Sequence, residues 1–350
     1  MTIQDLLKGV SVADLTTFAR NIPTKADYIL TKSIFPTYML NDVKWRIRDE
    51  GRYVNTAKYR AFSASVPQAS REAWQLTREG MLPPLGQRLD VDEQQQILLL
   101  DATNGANPDR LVELLYDDTE RHVESIRSRL ELAAGDVILD GKLSLSNENG
   151  LTIEIDFGVP AGNLPVAPKL WSDPTSDPIR DELGWIQYLE DRGAPTPELV
   201  LTSRKAVSYL ATNQAYRSVY FGTASTATPP AATLNPDQVN VVRGNYGLPP
   251  ITLYKAQVRV DGVATKVLPE DRWIMVPPDR SRWGQTMFGR TAESLVLGRG
   301  TNPGIFAQDA PGIVITRGVD DDPVRIWTKG AAVAAPVLHA ADAHICAKVL

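Results

Sequence analysis

The chain has 350 residues, 43% of them hydrophobic and 23% charged, with a formal net charge of −5. That length supports a sizeable core and about two domains, and the balance is that of an ordinary globular protein. A net negative chain is not built to grip a polyanion, which argues against the sequence-reading DNA proteins. The single cysteine, Cys346, excludes an internal disulfide and reads as a small buried hydrophobe. The N-terminus lacks the charged and apolar regions of a signal peptide, and no apolar run approaches the ~18 residues that span a membrane. A soluble protein made in a reducing cytoplasm is expected. The 25 prolines and 24 glycines are spread along the chain and predict many short strands and loops with few helices.

Residues 1–41 read as an arm. Ser11 opens a short helix with Leu15 and Phe18 on one face. The stretch Ile34 to Leu40 is apolar, interrupted by Pro36 and too short to fold alone, so another surface is expected beneath it. From 43 to 62 the pattern alternates. Val43, Trp45 and Ile47 point one way, and Lys44, Arg46 and Arg48 the other. Asp49-Glu50-Gly51 reads as a turn, with Arg52 to Val54 and Lys58 to Phe62 as the return strand. Such a two-stranded excursion with a basic face needs something to pack on. Pro67, Pro83, Pro84 and Gly86 predict irregular chain up to Asp92, and Glu93 to Leu100 a short helix.

Asn107-Pro108 opens the strongest helix, as N-cap and first helical residue. Leu111, Leu114, Leu115, Val123, Ile126 and Leu130 keep the helical spacing to about Ala134, with Gly135 as the stop. This helix is roughly 40 Å long. Its opposite face carries Asp117, Asp118, Glu120, Arg121, Glu124, Arg127 and Arg129. Leu143 to Ser146 and Leu151 to Phe157 alternate as strands around Asn147-Glu148-Asn149-Gly150, a good hairpin turn. Asp177-Pro178 starts a helix along Ile179, Leu183, Ile186 and Leu189, stopped by Gly193 and Pro195. Glu198 to Thr202 is a short buried strand. Ser203 caps a helix through Val207 and Leu210, and Asn235-Pro236 caps another that ends near Gly244. Thr252 to Val260, Trp273 to Val276, Ser294 to Leu297, Ile313 to Thr316, Val324 to Thr328 and Val337 to Val349 read as strands.

Enzyme chemistry finds no convergent groups. Gly298 to Gly304 has the wrong spacing for a nucleotide loop, and Pro303 leads into loop instead of a helix. Neither a Gly-Lys-Ser/Thr phosphate loop nor a Gly-x-Ser-x-Gly elbow occurs. His122 falls at the edge of the long helix's apolar face. His339 and His344 are five apart and face opposite sides of a strand, so they make no metal site. Asp320 to Asp322 lacks the spaced ligands of a calcium loop and reads as a solvated turn. The scattered tryptophans form no stacking platform. No catalytic, cofactor or metal residue is assigned, and a structural role is favoured over an enzymatic one.

The run Trp171-Ser172-Asp173-Pro174-Thr175-Ser176-Asp177-Pro178 comes after a basic extended region, a long helix and a hairpin. It precedes a helix and then a strand ending in Leu201-Thr202-Ser203-Arg204-Lys205. That order and that motif resemble the major capsid proteins of tailed bacteriophages, specifically the lambda-type (protein E) family. The resemblance is most specific from the long helix to Lys205 and looser over the arm and residues 220–310.

The resemblance implies an α+β chain with the Hong Kong 97-type capsid fold. Residues 1–41 are then the N-terminal arm and 42–92 the E-loop region. Residues 93–170 are the peripheral domain, with spine helix 108–134 and hairpin 143–157. Residues 171–309 are the axial domain, and 310–350 the return strands of the peripheral domain. It implies self-assembly into pentamers and hexamers of an icosahedral shell, enclosing double-stranded DNA without sequence-specific binding, in a virion assembled in the host cytoplasm. Scaffolding protein, portal, maturation protease and decoration protein are the implied partners; no membrane and no cofactor is implied. The expected intersubunit contacts are the E-loop residues Lys44, Trp45, Arg46, Arg48, Arg52, Lys58 and Arg60, facing Asp117, Asp118, Glu120 and Glu124 of a neighbouring spine. An encapsulin-like compartment shell of the same fold, or an unrecognised α+β enzyme, are the other readings.

Overall fold

The computed structural model describes residues 15, 18–19, 21–50, 59–60, 62, 75–91, 109–222, 230–297, 309–310, 312–321 and 324–350. At several element ends, Arg48 among them, only the backbone is described. In chain order the elements begin with a π turn (Leu30–Ile34), β1 (Thr37–Met39), β2 (Lys44–Glu50), β3 (Gln75–Met81) and β4 (Pro84–Val91). The spine helix α1 (Asp109–Asp140) and the hairpin β5 (Lys142–Glu148) and β6 (Leu151–Asp156) follow. Next come α2 (Pro178–Asp191), β7 (Leu199–Thr202), α3 (Arg204–Thr212), α4 (Gln214–Phe221) and α5 (Pro236–Asn245). After these lie β8 (Ile251–Leu253), β9 (Gln257–Val260), β10 (Val263–Lys266), β11 (Arg272–Val276), α6 (Arg280–Trp283), β12 (Gly284–Phe288) and α7 (Ala292–Leu297). The chain ends with β13 (Asp309–Ala310), β14 (Ile313–Asp321), β15 (Val324–Leu338) and β16 (Ile345–Lys348).

The long strand β15 organises the first sheet. It pairs antiparallel with β14, with β4 and, over its last residues, with β12, while β1 joins the outer edge of β12 in parallel. The spine helix packs on this sheet through Val123, Ile126 and Leu130, against Ile313, Ile315 and Ala332. A second sheet, in the order β16-β11-β7-β8, is buried on both faces. The two-residue period of a strand divides its side chains. Val200, Trp273, Met275, Ile345 and Ala347 face the core of helices α2–α5. Leu201, Ile274, Val276 and Cys346 face the core shared with the spine helix. One sheet is therefore the partition between two cores.

The caps read from the sequence form as expected. Asp177 accepts the Arg180 amide with Pro178 at the first position of α2, and Ser203 accepts the Ala206 amide of α3. Asn235 and Gln238 complete a reciprocal capping box at α5. The cap residues Asn107 and Pro108, and the short helix expected over 93–100, lie outside the described residues.

Several expected elements take other forms. The spine helix does not stop at Gly135 but runs on to Asp140, about 48 Å in all. Gly135 is there for space. A Cβ on it would lie 2.6 Å from a Val267 methyl and 2.9 Å from the Val267 carbonyl oxygen. The apolar stripe continues through Val137 and Ile138, and the turn out of the helix is made at Gly141, with φ +74°. Strand β2 pairs with β3, from Lys44 opposite Met81 to Glu50 opposite Gln75, and the part of the expected return strand at Arg52 to Val54 lies outside the described residues. Gly80 stands opposite Trp45, and a Cβ there would meet the indole at 2.6 Å, so this register makes room for the ring. Of the expected return strand, Tyr59, Arg60 and Phe62 are described, and they are not in a strand.

The supposedly irregular stretch before Asp92 contains β3 and β4. Pro84 is tolerated because it is the first residue of its strand. Residues 292–297 are helical, not extended, with Thr291 Oγ1 accepting the Ser294 amide at 3.1 Å. The strand expected over 252–260 breaks at Tyr254, whose amide continues the β7 pairing before the chain leaves to form β9. The final strand divides too. β15 ends where the His339 and Ala340 amides both reach the Trp283 carbonyl, and the chain then crosses to the second sheet as β16. β12 pairs with β15 in the first sheet and β16 with β11 in the second.

Candidate assembly surfaces

The alternation of β2 holds: Trp45 and Ile47 are buried while Lys44 and Arg46 are exposed. Trp45 is thus an anchor in the core of its own chain. It is 3% exposed, and its ring lies 5.8 Å from Phe157. Arg46 is paired within the hairpin, its guanidinium 3.0 Å from Glu79 of β3. Sequence reading missed Glu79 because it lies on a strand that was not expected. Arg48 is described in backbone only, Arg60 is exposed, and Arg52 and Lys58 lie outside the described residues.

The acids of the spine helix divide by face. Asp117 and Glu120 are exposed. Asp118 is turned inward, 6% exposed, and accepts the Thr328 hydroxyl at 3.2 Å. Burial pushes its carboxyl above the usual range. The Thr328 oxygen in turn receives His122 Nε2 at 3.0 Å, and His122 is fully buried against Gly330. That burial lowers the His122 imidazole to about 4. Glu124 pairs with Lys25 of the arm at 3.2 Å. Asp118 is thus removed from the expected acidic face, and Glu124 already has a partner in its own chain.

The described part of the arm packs on its own chain. Ala19 and Ile22 pack on the spine helix, and Phe18 meets Tyr116 edge-on at 4.9 Å. Leu30, Ile34 and Phe35 enter the main core. The carboxylate that receives this segment, Glu131 of the spine helix, went unmarked in the sequence because it falls within an otherwise apolar stripe. A second unmarked pair, Glu182 of α2 and Arg243 of α5, is bidentate at 2.6 and 2.9 Å and fully buried. Trp273 donates to the same Glu182 at 3.1 Å. The signal that could have found Glu182 is a charge at a helix position whose helical neighbours, Pro178, Ile179, Trp185 and Ile186, are all apolar.

Exposed large apolar side chains occur at several described places, Tyr59, Phe62, Val166 and Val263 among them, and two groups lie on regular elements. Tyr38, Met39 and Met81 lie on β1 and β3 near the base of the hairpin, and Tyr220, Phe221 and Val241 lie on α4 and α5. Tyr220 is held in place by Gln238 at 2.9 Å. Among the described residues no group of three His, Cys, Asp or Glu side chains could hold a metal ion, and no helix is long and apolar enough to cross a membrane. His339 and His344 are not on one strand face or the other: His339 follows β15, and His344 is buried beside Trp283. Cys346 is buried as expected, which pushes its thiol up to about 12.

The fold is similar to a crystal structure assigned as the capsid protein of an Escherichia coli CFT073 prophage. The identity is 15%, over 97% of this chain and 99% of that one, with a TM-score of 0.62. A phage-related protein from Bordetella bronchiseptica RB50 is similar at 16% identity, over 97% of both chains, with a TM-score of 0.58. No curated protein matches the chain. The likeness is one of fold, and that fold is the Hong Kong 97-type capsid fold. The family model for phage major capsid protein E matches residues 11–349. With a structural family spanning nearly its whole length and the corresponding fold, the chain belongs to the phage major capsid protein E family.

Proposed function

We propose that copies of this capsid-shell protein assemble as pentamers and hexamers into a closed icosahedral shell around the double-stranded DNA of a tailed phage. The family match over residues 11–349 carries this reading. The β2–β3 excursion is the adaptable part, and the helical core of α2–α5 is the axial domain that meets its copies at the capsomer centre. The exposed Tyr220, Phe221 and Val241 on that core support this role. The spine helix and the β15 sheet make the peripheral domain. The protein acts by geometry, without a catalytic step or a cofactor. Scaffolding protein, portal, maturation protease and decoration protein are its proposed partners in the virion pathway, and DNA is enclosed without sequence recognition.

Negative-stain electron microscopy with light scattering on the purified chain tests this. Closed polyhedral shells, or free pentamers and hexamers, are expected. A monomer or dimer that stays unassembled with crowding agent and candidate scaffold would overturn the reading.

A further inference from the structure

Glu131 is a fully buried carboxylate on the spine helix. Its partners are four neutral donors. The Leu30 amide and the Tyr254 hydroxyl reach Oε1 at 2.9 and 2.7 Å. The Thr31 amide and hydroxyl reach Oε2 at 2.8 and 2.6 Å. All four groups donate, which suits an acceptor-only carboxylate and no other side chain of that shape. The Leu30–Ile34 turn is a π turn, closed by the Phe35 amide on the Leu30 carbonyl at 2.7 Å, and Ile29 before it offers no side-chain cap. Glu131 therefore supplies, from another element, the cap that this turn lacks.

The neighbouring contacts run along the same helix face. Glu124, Arg127, Ser128 and Glu131 are spaced three and four apart. Lys25 meets Glu124 at 3.2 Å, the Ile22 carbonyl accepts from Arg127 at 2.9 Å, and Tyr28 meets the Ser128 hydroxyl at 2.8 Å. The spine thus reads the arm through a polar stripe that ends in one buried carboxylate. Tyr254 brings the chain after β8 to the same atom.

We propose that Glu131 is a latch. It locks residues 22–35 of the arm onto the spine helix and ties both to the segment after β8. The latch is a property of the single chain and does not depend on the shell reading.

Amide hydrogen exchange on the full-length protein tests it, in whatever assembly state it is isolated. In Glu131→Gln the amide group presents its own hydrogens to one pair of donors, so half of the four bonds are lost. The Leu30, Thr31 and Phe35 amides are expected to exchange roughly tenfold faster or more. The Val239 and Tyr216 amides in the α2–α5 core are expected to keep their rates. Unchanged exchange at 30, 31 and 35, or an equal acceleration everywhere, would overturn the proposal. If E131Q does not fold, Thr31→Val and Tyr254→Phe decide, since each removes one donor and keeps its shape. Both must accelerate the same three amides selectively, and failure of either to do so is equally fatal.

Discussion

Glu182 and Arg243 meet in the middle of the helical core, where an unpaired charge would be intolerable. The pair survives because each remaining lone pair and proton is used. Trp273 donates to the carboxylate, the Pro249 carbonyl accepts from the guanidinium, and that guanidinium lies 5.1 Å from the Trp273 ring. Burial pushes the Glu182 carboxyl upward and Arg243 pulls it back. The buried histidines follow a different rule, because burial favours their neutral form. His122 and His344 are each lowered from an ordinary 6.5 to about 4. Between those values the unfolded chain binds protons that the folded chain refuses. The stability they allow is present above about pH 6.5 and is lost as pH falls toward 4, by on the order of 3 kcal/mol for each. Asp118, raised by burial, opposes part of that loss. Thermal melts at pH 8 and pH 4.5 check this: the double variant His122→Gln, His344→Gln should show a clearly smaller drop than the parent chain. An equal drop would assign the acid sensitivity to other groups.

At the scale of elements, the spine helix shows how a local signal can mislead. Glycine after an apolar stripe reads as a stop, yet Gly135 lies mid-helix because Val267 of the β10–β11 connection presses on it. The prediction runs against helix propensity. Alanine gains about 1 kcal/mol over glycine in a helix interior, but here its methyl meets a backbone carbonyl that cannot rotate away. Gly135→Ala should therefore destabilise by about 1–3 kcal/mol in denaturant unfolding, and a stabilised variant would show that the connection yields freely. The hairpin teaches the complementary lesson. The alternation of Val43 to Arg48 was legible, since a two-residue period needs no partner to be seen. The partner strand was not, because Gln75 to Met81 carries little apolar pattern and is selected by the fit of Trp45 over Gly80.

For the whole molecule, the arrangement of charge bears on the proposed contacts between copies. The acidic spine face expected to receive the basic hairpin is reduced to Asp117 and Glu120, and the basic face is partly neutralised by Glu79. Each exposed ion pair of this kind contributes only about 0–1 kcal/mol. A shell held by many such contacts can release a misplaced copy during assembly. Arg46→Glu with Arg48→Glu is therefore expected to slow or stop shell formation while leaving the melting temperature of the chain nearly unchanged. Shells forming at the parent's rate in light scattering would remove the hairpin's basic face from the assembly contacts.

The amino-acid sequence alone was enough for the family, the capped starts of α2, α3 and α5, the amphipathic spine and the absence of any apolar membrane-length run. These are local periods, caps and motifs, and they act within a few residues of one another. The tertiary structure alone decided which strands pair, where the spine helix ends, that Trp45 and Asp118 face inward, and that the arm is held by Glu131. Each of these depends on two groups brought together from distant parts of the chain. A glycine admits a neighbour's side chain, or a buried carboxylate collects donors from two distant segments, and no window of sequence contains both partners.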